Sequence, residues 1–167
     1  MAREEYILDA QGKDLVTILP GSWRNFRGEG TQFNAAGKRN FNVRINDISL
    51  VEMLKSRGFN VREMKKMNDD DETSYFMQVK VQFNQYGPRI IQYVQGNPNG
   101  VELDEETVGM LDNVDILDCV IKIRPYDWEM ATGNKGTTAY LTELAIQIPD
   151  NRFGERFQNP GAGNLPF

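Results

Sequence analysis

Aromatic rings and cations alternate in one glycine-containing stretch of the chain. Residues 20–45 carry five Lys or Arg residues against a single acid, Glu29. Rings can stack on nucleobases, at about 1–3 kcal/mol per base, and cations can contact phosphates, so this composition is typical of single-stranded nucleic-acid binding. The alternative is that rings such as Trp23 and Phe41 belong to the core and that the cations are merely solvated. The candidate contact residues of this stretch are Trp23, Arg24, Phe26, Arg27, Phe33, Lys38, Arg39, Phe41 and Arg44.

A second group of cations and rings follows a two-residue period further along the chain. Successive side chains of a strand point to opposite faces, so residues two apart share a face. The residues in this register are Lys122, Arg124, Tyr126 and Trp128. Ile121 and Ile123 occupy the opposite face and predict a core. We expect Lys135 to join the group and Lys80, Arg89 and Tyr93 to extend it, the alternative for Trp128 being packing against the rest of the protein.

The residue types needed for common enzymatic sites are scarce. The chain has no histidine and one cysteine, Cys119, which removes the commonest general base and makes a zinc site implausible. No phosphate-binding glycine loop or nucleophile motif occurs. Asp112, Asp115 and Asp118 contain enough carboxylates for a divalent ion, but their spacing matches no metal motif, and we expect these acids to be solvated. The sequence therefore predicts a binding protein without cofactor or metal.

The formal net charge of −5 hides an uneven distribution. Residues 102–118 contain seven acids and no base, and residues 69–72 form a second acidic block. Local fields, rather than net charge, decide where a polyanion binds. The single cysteine excludes an intramolecular disulfide and is typical of a reducing compartment. No apolar run approaches the roughly 20 residues of a membrane span, and the first ten residues do not resemble a secretory signal.

Hydrophobic alternation predicts a chain made mostly of strands. The predicted strands cover 14–27, broken at Pro20-Gly21, then 39–46, 59–65, 75–84, 89–95, 115–128 and 137–148. A helix is expected over 47–57, capped by Asp47 or Ser49 and ended by Gly58, and a second short helix over 104–111. Gly87-Pro88 predicts a hairpin between 75–84 and 89–95. The glycine- and proline-rich residues 149–167 predict a flexible tail.

This element order predicts an OB-like fold over residues 1–148. It is a mainly β, antiparallel Greek-key barrel with two short helices, a class that binds oligonucleotides on one face and through its long loops. Other small barrels and sandwiches carry a similar order of elements.

Several spaced blocks of the sequence resemble one protein family. They are Trp23-Arg24-Asn25-Phe26, Phe33-Asn34, Gly37-Lys38-Arg39-Asn40-Phe41, Leu103-Asp104-Glu105-Glu106-Thr107-Val108 and Ile123-Arg124-Pro125-Tyr126-Asp127-Trp128. Together, over about residues 17–148, they resemble bacteriophage single-stranded DNA-binding proteins of the OB-fold type. The resemblance implies that the chain coats single-stranded DNA during phage replication and recombination in the cytoplasm of the infected bacterial host.

The last three residues resemble a partner-docking tip. Leu165, Pro166 and Phe167 are similar to the Pro-Phe end by which bacterial single-strand binding proteins dock replication partners. The acids that usually precede such a tip are replaced here by residues 161–164, and an ordinary unstructured end is the alternative.

Two other functions fit parts of the sequence. A phage structural or assembly protein, making protein–protein contacts through sheet edges and tail, would explain the negative net charge. A metal-dependent enzyme acting on nucleic acid is the weakest alternative.

Overall fold

A computed structural model of the chain describes residues 4–32, 34–66, 68 and 72–150. The predicted contact residue Phe33, the tip Leu165–Phe167 and all of 151–167 lie outside the described residues. Within them, the strands are β1 Tyr6–Asp9, β2 Val16–Ile18, β3 Arg24–Asn25, β4 Arg39–Ile45, β5 Arg62–Glu63, β6 Tyr75–Val81, β7 Arg89–Val94, β8 Val101–Leu103, β9 Asp118–Glu129 and β10 Lys135–Ile148. The helical elements are α1 Ile48–Arg57 and 3-10 turns over Gly21–Trp23 and Val108–Asn113.

Alternating apolar residues form the buried side of the central strands. In β4, Phe41, Val43 and Ile45 are fully buried, and in β6, Met77 and Val79 are buried in the same way. This period of two matches the pleat, so every second side chain enters the core while the others stay at the surface. The predictions of strands at 39–46 and 75–84 are confirmed.

The strands join in one mixed sheet in the order β1-β9-β10-β6-β4-β2. The long hairpin of β9 and β10 is its largest antiparallel pair, with a register shift between Leu141 and Glu143. Strand β10 also pairs in parallel with β6, at Ala139 with Val79, and with β7, from Glu143 with Arg89 onward. The protein is mainly β, as predicted, but the expectation of a wholly antiparallel sheet is wrong.

The predicted hairpin between β6 and β7 is also wrong. Both strands run parallel to β10 along the same edge, joined by a tight loop closed by two backbone hydrogen bonds between Asn84 and Gly87. The glycine and proline at 87–88 therefore mark a turn, but not a reversal that pairs the flanking strands. The hairpin partner of β7 is β8, in which Leu103 lies opposite Ile90.

The two ends of the sheet path, β1 and β2, are consecutive in the chain. The sheet curls, because β1 pairs with β9 and Cys119 of β9 also contacts β2, its Sγ lying 3.7 Å from the carbonyl oxygen of Val16. No ladder joins β1 to β2 among the described residues, so the sheet is not closed by hydrogen bonds.

Helix α1 begins and ends where its sequence indicates. The Asp47 carboxylate accepts hydrogen bonds from the backbone N–H groups of Ser49 and Leu50, at 3.0 and 3.4 Å. Gly58 ends the helix in the left-handed conformation, with φ of 110°. Val51 and Leu54 are buried and hold the helix against the sheet.

The second predicted helix, over 104–111, is replaced by a turn and a 3-10 segment. Asp104 Oδ1 accepts from the N–H groups of Glu106 and Thr107, at 2.9 and 3.0 Å. The hydrogen bond from the Thr107 hydroxyl, and after it the one from the Thr107 N–H, lowers the pKa of Asp104. These local bonds compete with an α-helix. Only from Val108 does helical structure begin. In the described part of the chain, no helix is long and apolar enough to cross a membrane.

Candidate nucleic-acid interface

Four strands place a row of polar and basic side chains on the outer face of the sheet. In the register of β4, β6, β10 and β9, that row consists of Asn40, Lys80, Tyr140 and Arg124. Registered neighbours point to the same side of a sheet. The residues next to them in their strands, including Phe41, Val79 and Ala139, are buried. The row therefore faces outward, across segments that are far apart in the sequence.

Aromatic rings lie beside this row. The ring of Trp23 contacts that of Phe76 edge-on, with centroids 5.2 Å apart, and Tyr126 contacts Tyr140 in the same way at 6.0 Å. The exposed fractions are 39% for Trp23, 54% for Tyr126 and 39% for Trp128, so these rings are accessible for stacking. We refer to Trp23, Phe76, Lys80, Arg124, Tyr126, Trp128 and Tyr140 together as the stacking face.

Trp128 borders a cleft that opens where β6 and β10 separate. The two strands pair only at Ala139 and Tyr140 of β10, and the cleft beyond them has a volume of about 510 Å³. Lys80, Trp128 and Lys135 are among its lining residues. A Cβ atom at Gly136 would lie 2.7 Å from the Trp128 ring, so only glycine lets the indole rest against β10. The cleft thus combines a ring with two cations.

The stacking face contains three of the four residues predicted in one row of β9, and it adds the rings of Phe76 and Tyr140. Arg124, Tyr126 and Trp128 lie opposite Tyr140, Thr138 and Gly136 of β10, on the outer side of the sheet. Lys122 lies between the buried Ile121 and Ile123 and shares that side. Phe76 and Tyr140 were not among the predicted contacts. The two-residue period that assigned Lys80 to the outer face of β6 would also have placed Phe76 there.

Arg24 is a structural residue and not a phosphate contact. The residue is 8% exposed, and its guanidinium donates to the carbonyl oxygens of Ile18, Leu19, Leu111 and Val114, at 2.6–3.1 Å. Burial lowers the pKa of Arg24, while Asp112 opposes that shift. With its donors directed at four carbonyls, the side chain ties the β2–β3 segment to the 108–114 segment.

Phe26 and Phe41 are core residues and not stacking residues. Both have no exposed surface, and their rings stack on each other with centroids 4.9 Å apart. Arg24 of β3 pairs with Phe41 of β4, and Phe26, which directly follows β3, reaches the same inner side of the sheet. The prediction that they contact bases is therefore wrong.

Three of the predicted cations are already engaged by acids. Arg27 forms an exposed ion pair with Glu29 at 3.2 Å, and Arg39 pairs with Glu105 at 3.4 Å while donating to the carbonyl oxygen of Phe26. Lys122 lies between two carboxylates, Glu143 at 2.9 Å and Glu5 at 3.7 Å, and Glu143 raises its pKa. A ligand phosphate would have to compete with these carboxylates.

The remaining predicted cations differ in position. Lys38 and Arg89 are exposed, and Arg44 is half-buried with a buried Nε that has no hydrogen-bond partner among the described residues. Arg89 lies beside Glu143, and Tyr93 lies beside Gln147, beyond the register shift of β10. Arg89 and Tyr93 are therefore displaced along the sheet from the stacking face.

The acids that follow residue 102 hold loops in place. Asp112 accepts from the backbone N–H groups of Phe26 and Arg27, at 2.7 and 3.0 Å. In the part of the chain that the structure describes, no three His, Cys, Asp or Glu side chains cluster so as to hold a metal ion. Burial raises the pKa of the Cys119 thiol to about 12, so the thiol stays protonated at neutral pH.

An ion-pair network anchors the β9–β10 hairpin to the end of α1. Arg57 donates to both carboxylate oxygens of Asp127, at 2.9 and 3.0 Å, and also pairs with Glu4. Thr137 Oγ1 donates to Asp127 at 2.7 Å. Asp127 lies between Tyr126 and Trp128, so the network holds the strand segment that carries both rings.

This network gives the stability a specific pH dependence. The hydrogen bond from Arg57, and after it that from Thr137, lowers the pKa of Asp127 from 3.8 to about 2. A group with a depressed folded-state pKa stabilises the fold fully above its unfolded pKa and loses that effect as the pH falls through the folded value. We expect Asp127→Asn to lower the melting temperature at pH 6, and this difference from wild type to shrink between about pH 4 and 2, in thermal melts at low salt. A difference that stayed constant down to pH 2 would contradict this assignment.

Comparison with known proteins places the sequence in a family. Residues 8–164 match the family described as "Putative phage ssDNA-binding domain". A similar solved structure is gp2.5, a single-stranded DNA-binding protein encoded by bacteriophage T7. It shares 7% identity over 99% of this chain and 98% of that one, and its TM-score of 0.41 is too low to establish a shared fold. No curated protein sequence matches the chain significantly. Because the family match spans most of the sequence, the chain belongs to the phage ssDNA-binding domain family.

Proposed function

We propose that the chain binds single-stranded DNA on the stacking face, largely independently of sequence, and does so in phage DNA replication and recombination in the host cytoplasm. The observation that carries the proposal is the convergence on one open sheet face of rings and cations from β6, β9, β10 and the turn at Trp23. Sequence-tolerant binding of single strands uses this combination, because every base has a π-face and every nucleotide has a phosphate.

The side chains divide into two roles. The accessible rings Trp23, Tyr126 and Trp128 stack on bases. Arg124, whose guanidinium lies 5.2 Å from the centre of the Tyr140 ring, and the exposed Lys80 and Lys135 contact phosphates. The candidates at the edges of the face are Lys38, at the end of the 28–38 loop, and the half-buried Arg44.

The net charge of −5 is compatible with this function. No acid belongs to the stacking face, whereas Asp104 and Asp112 accept backbone hydrogen bonds and Glu105 pairs with Arg39. A phosphate approaching Lys80 and Arg124 therefore meets a local positive field. In this proposal the curled sheet is an OB-like barrel whose loops 28–38 and 130–134 flank the bound strand, as loops do in that class.

Binding should be strongly salt-dependent. Each phosphate neutralised on a single strand contributes a slope of about −0.7 to log Kobs against log salt. With about three to five phosphates bound, the affinity for an unstructured oligodeoxynucleotide should fall about 20- to 100-fold between 50 and 200 mM salt. Fluorescence anisotropy of a labelled oligonucleotide measures the slope, and quenching of Trp23 and Trp128 reports contact with the face.

An oligonucleotide with an uncharged methylphosphonate backbone is the control, and its weak binding should not vary with salt. Binding of the phosphate oligonucleotide that is flat across this range, with unchanged tryptophan emission, would rule out the stacking face as the site.

A protein-contact role has one observation in its favour. Ile7 and Val120, near the other end of β9, are 58% and 40% exposed. If no oligonucleotide binds at low salt, a structural or assembly role through this surface becomes the better proposal. The predicted docking of replication proteins by Leu165–Phe167 remains a prediction, tested by deleting these three residues and measuring capture of host replication proteins.

A further inference from the structure

A second cavity, beside the Gly21–Trp23 turn, is lined by six uncharged amides together with two cations, Arg24 and Arg27, and two acids, Glu29 and Asp112. Its volume is about 520 Å³, within the range of small-ligand sites. The amide side chains that line it are Asn25, Asn34, Asn40, Asn42, Gln78 and Asn113. The cavity meets the outer face of the sheet, because Gln78 lines both this cavity and the cleft beside Trp128.

The two cations at this cavity already have partners. Arg24 directs its guanidinium to four backbone carbonyls, and Arg27 is paired with Glu29. A DNA phosphate diester carries only acceptor oxygens, so it needs hydrogen-bond donors from the protein. The cavity is therefore poorly suited to the DNA backbone, although it adjoins the stacking face.

A chain of hydrogen bonds fixes the orientation of the Asn40 amide. The Asn34 Nδ2 group donates to the carbonyl oxygens of Glu29, Ala35 and Lys38, at 2.8–3.1 Å, so Asn34 Oδ1 must be the acceptor. Asn40 Nδ2 donates to that oxygen at 3.0 Å. Among the described contacts Asn40 Oδ1 accepts no hydrogen bond, so this oxygen and the second Nδ2 hydrogen are open to a ligand.

The orientation of the Asn42 side-chain amide is also fixed by a hydrogen bond from its Nδ2 group. Its Nδ2 donates one hydrogen to the carbonyl oxygen of Trp23 at 3.1 Å. Among the described contacts this leaves Oδ1 as an open acceptor beside the second Nδ2 hydrogen. Asn40 and Asn42 are half-buried and lie two residues apart on the outer side of β4. Two acceptor oxygens of fixed orientation thus line a cavity beside the Gly21–Trp23 turn.

We propose that this cavity is a base-edge subsite that favours nucleobases with an exocyclic amino group. The proposal rests on the proposed single-stranded DNA binding and adds a local preference to it. Cytosine presents an N4 amino donor, whereas uracil and thymine present an O4 acceptor at the same position. If the O4 oxygen of uracil or thymine faces Asn40 Oδ1 or Asn42 Oδ1, two acceptor oxygens meet with no hydrogen between them. Both oxygens have then lost their hydrogen bonds to water without replacement.

Deoxycytidine and deoxyuridine oligomers of equal length test the preference, because both are pyrimidines without a ring methyl group. At pH 8 and low salt we expect the full chain to bind oligo(dC) about fivefold more tightly than oligo(dU), the factor expected for one net hydrogen bond. Asn42→Leu and Asn40→Leu should each bring the ratio of the two affinities towards one, whatever they do to overall affinity. Asn99→Leu, an exposed asparagine in the β7–β8 turn, is the matched control and should keep the wild-type ratio.

The outcomes separate this inference from the proposed function. Equal binding of both oligomers by the wild-type chain would overturn the subsite and leave DNA binding intact. A ratio that survives both the Asn40 and Asn42 changes would also overturn it. Failure of either oligomer to bind at low salt would overturn the proposed function itself.

Discussion

Replacing Tyr126 and Trp128 with alanine together is expected to lower the affinity for single-stranded DNA about 30-fold or more. Each base–ring stack contributes about 1–3 kcal/mol, and 1.4 kcal/mol is a factor of ten in affinity. Both rings are substantially exposed, at 54% and 39%, so their removal should leave the fold intact. Titration of a labelled unstructured oligonucleotide at low salt, with circular dichroism to confirm folding, measures the effect.

Two further variants sharpen this experiment. Trp128→Phe keeps an aromatic ring at this position. Its affinity for the oligonucleotide should therefore stay much closer to that of wild type than the affinity of a variant with alanine there. Tyr93→Ala removes a comparable ring from beside Gln147, away from the stacking face, and should leave binding unchanged. A double alanine variant that binds as tightly as wild type would exclude the stacking face as the DNA site.

Arg24→Met is expected to produce the largest loss of stability, about 3–5 kcal/mol of unfolding free energy. The change leaves four carbonyl oxygens without their donor, and at least three of these bonds are buried. Unsatisfied buried polar groups cost about 1–3 kcal/mol each, with partial recovery through water. Urea denaturation monitored by tryptophan fluorescence measures the difference.

Arg27→Met is the matched control for this prediction. The Arg27 side chain is 48% exposed and forms only a surface ion pair with Glu29, so its loss should cost well under 1 kcal/mol. The folded fraction of the Arg24 variant should still bind DNA with wild-type affinity. An Arg24→Met protein of normal stability and weak binding would instead make Arg24 a direct DNA contact.

Local signals in the sequence were sufficient for the central strands and for α1. Alternation of apolar residues predicts β4, β6 and β9, since one side of each faces the core. Asp47 and Gly58 predict both ends of α1, because their effects act within one helical turn. The accessible rings Tyr126 and Trp128 follow from the period of two alone.

The contacts of Arg24 could not be read from local pattern. Two of its four carbonyl partners, Leu111 and Val114, lie nearly ninety residues away in the sequence. Arginine side chains are usually solvated, so an arginine next to exposed Trp23 resembles a phosphate contact. The prediction that Phe26 and Phe41 contact bases failed for the same reason. The alternation of rings and cations in the sequence does not show which rings point into the core.

The direction of β7 depended on long-range pairing in a similar way. A Gly-Pro turn between two strand-like segments is common in hairpins, and no local feature shows that both strands choose β10 as partner. Both β6 and β7 pair in parallel with β10, and β10 lies about fifty residues further along the chain.

The parallel arrangement of β6 and β7 has a practical consequence for studying this protein. Strand β6 ends at Val81 and β7 begins at Arg89, so residues 82–88 form a loop between two strands that both pair with β10. Tyr86, at the tip of this loop, is 76% exposed. Because exposed loop tips tolerate insertions, a reporter dye or short affinity tag can be placed there without shifting the register of either strand.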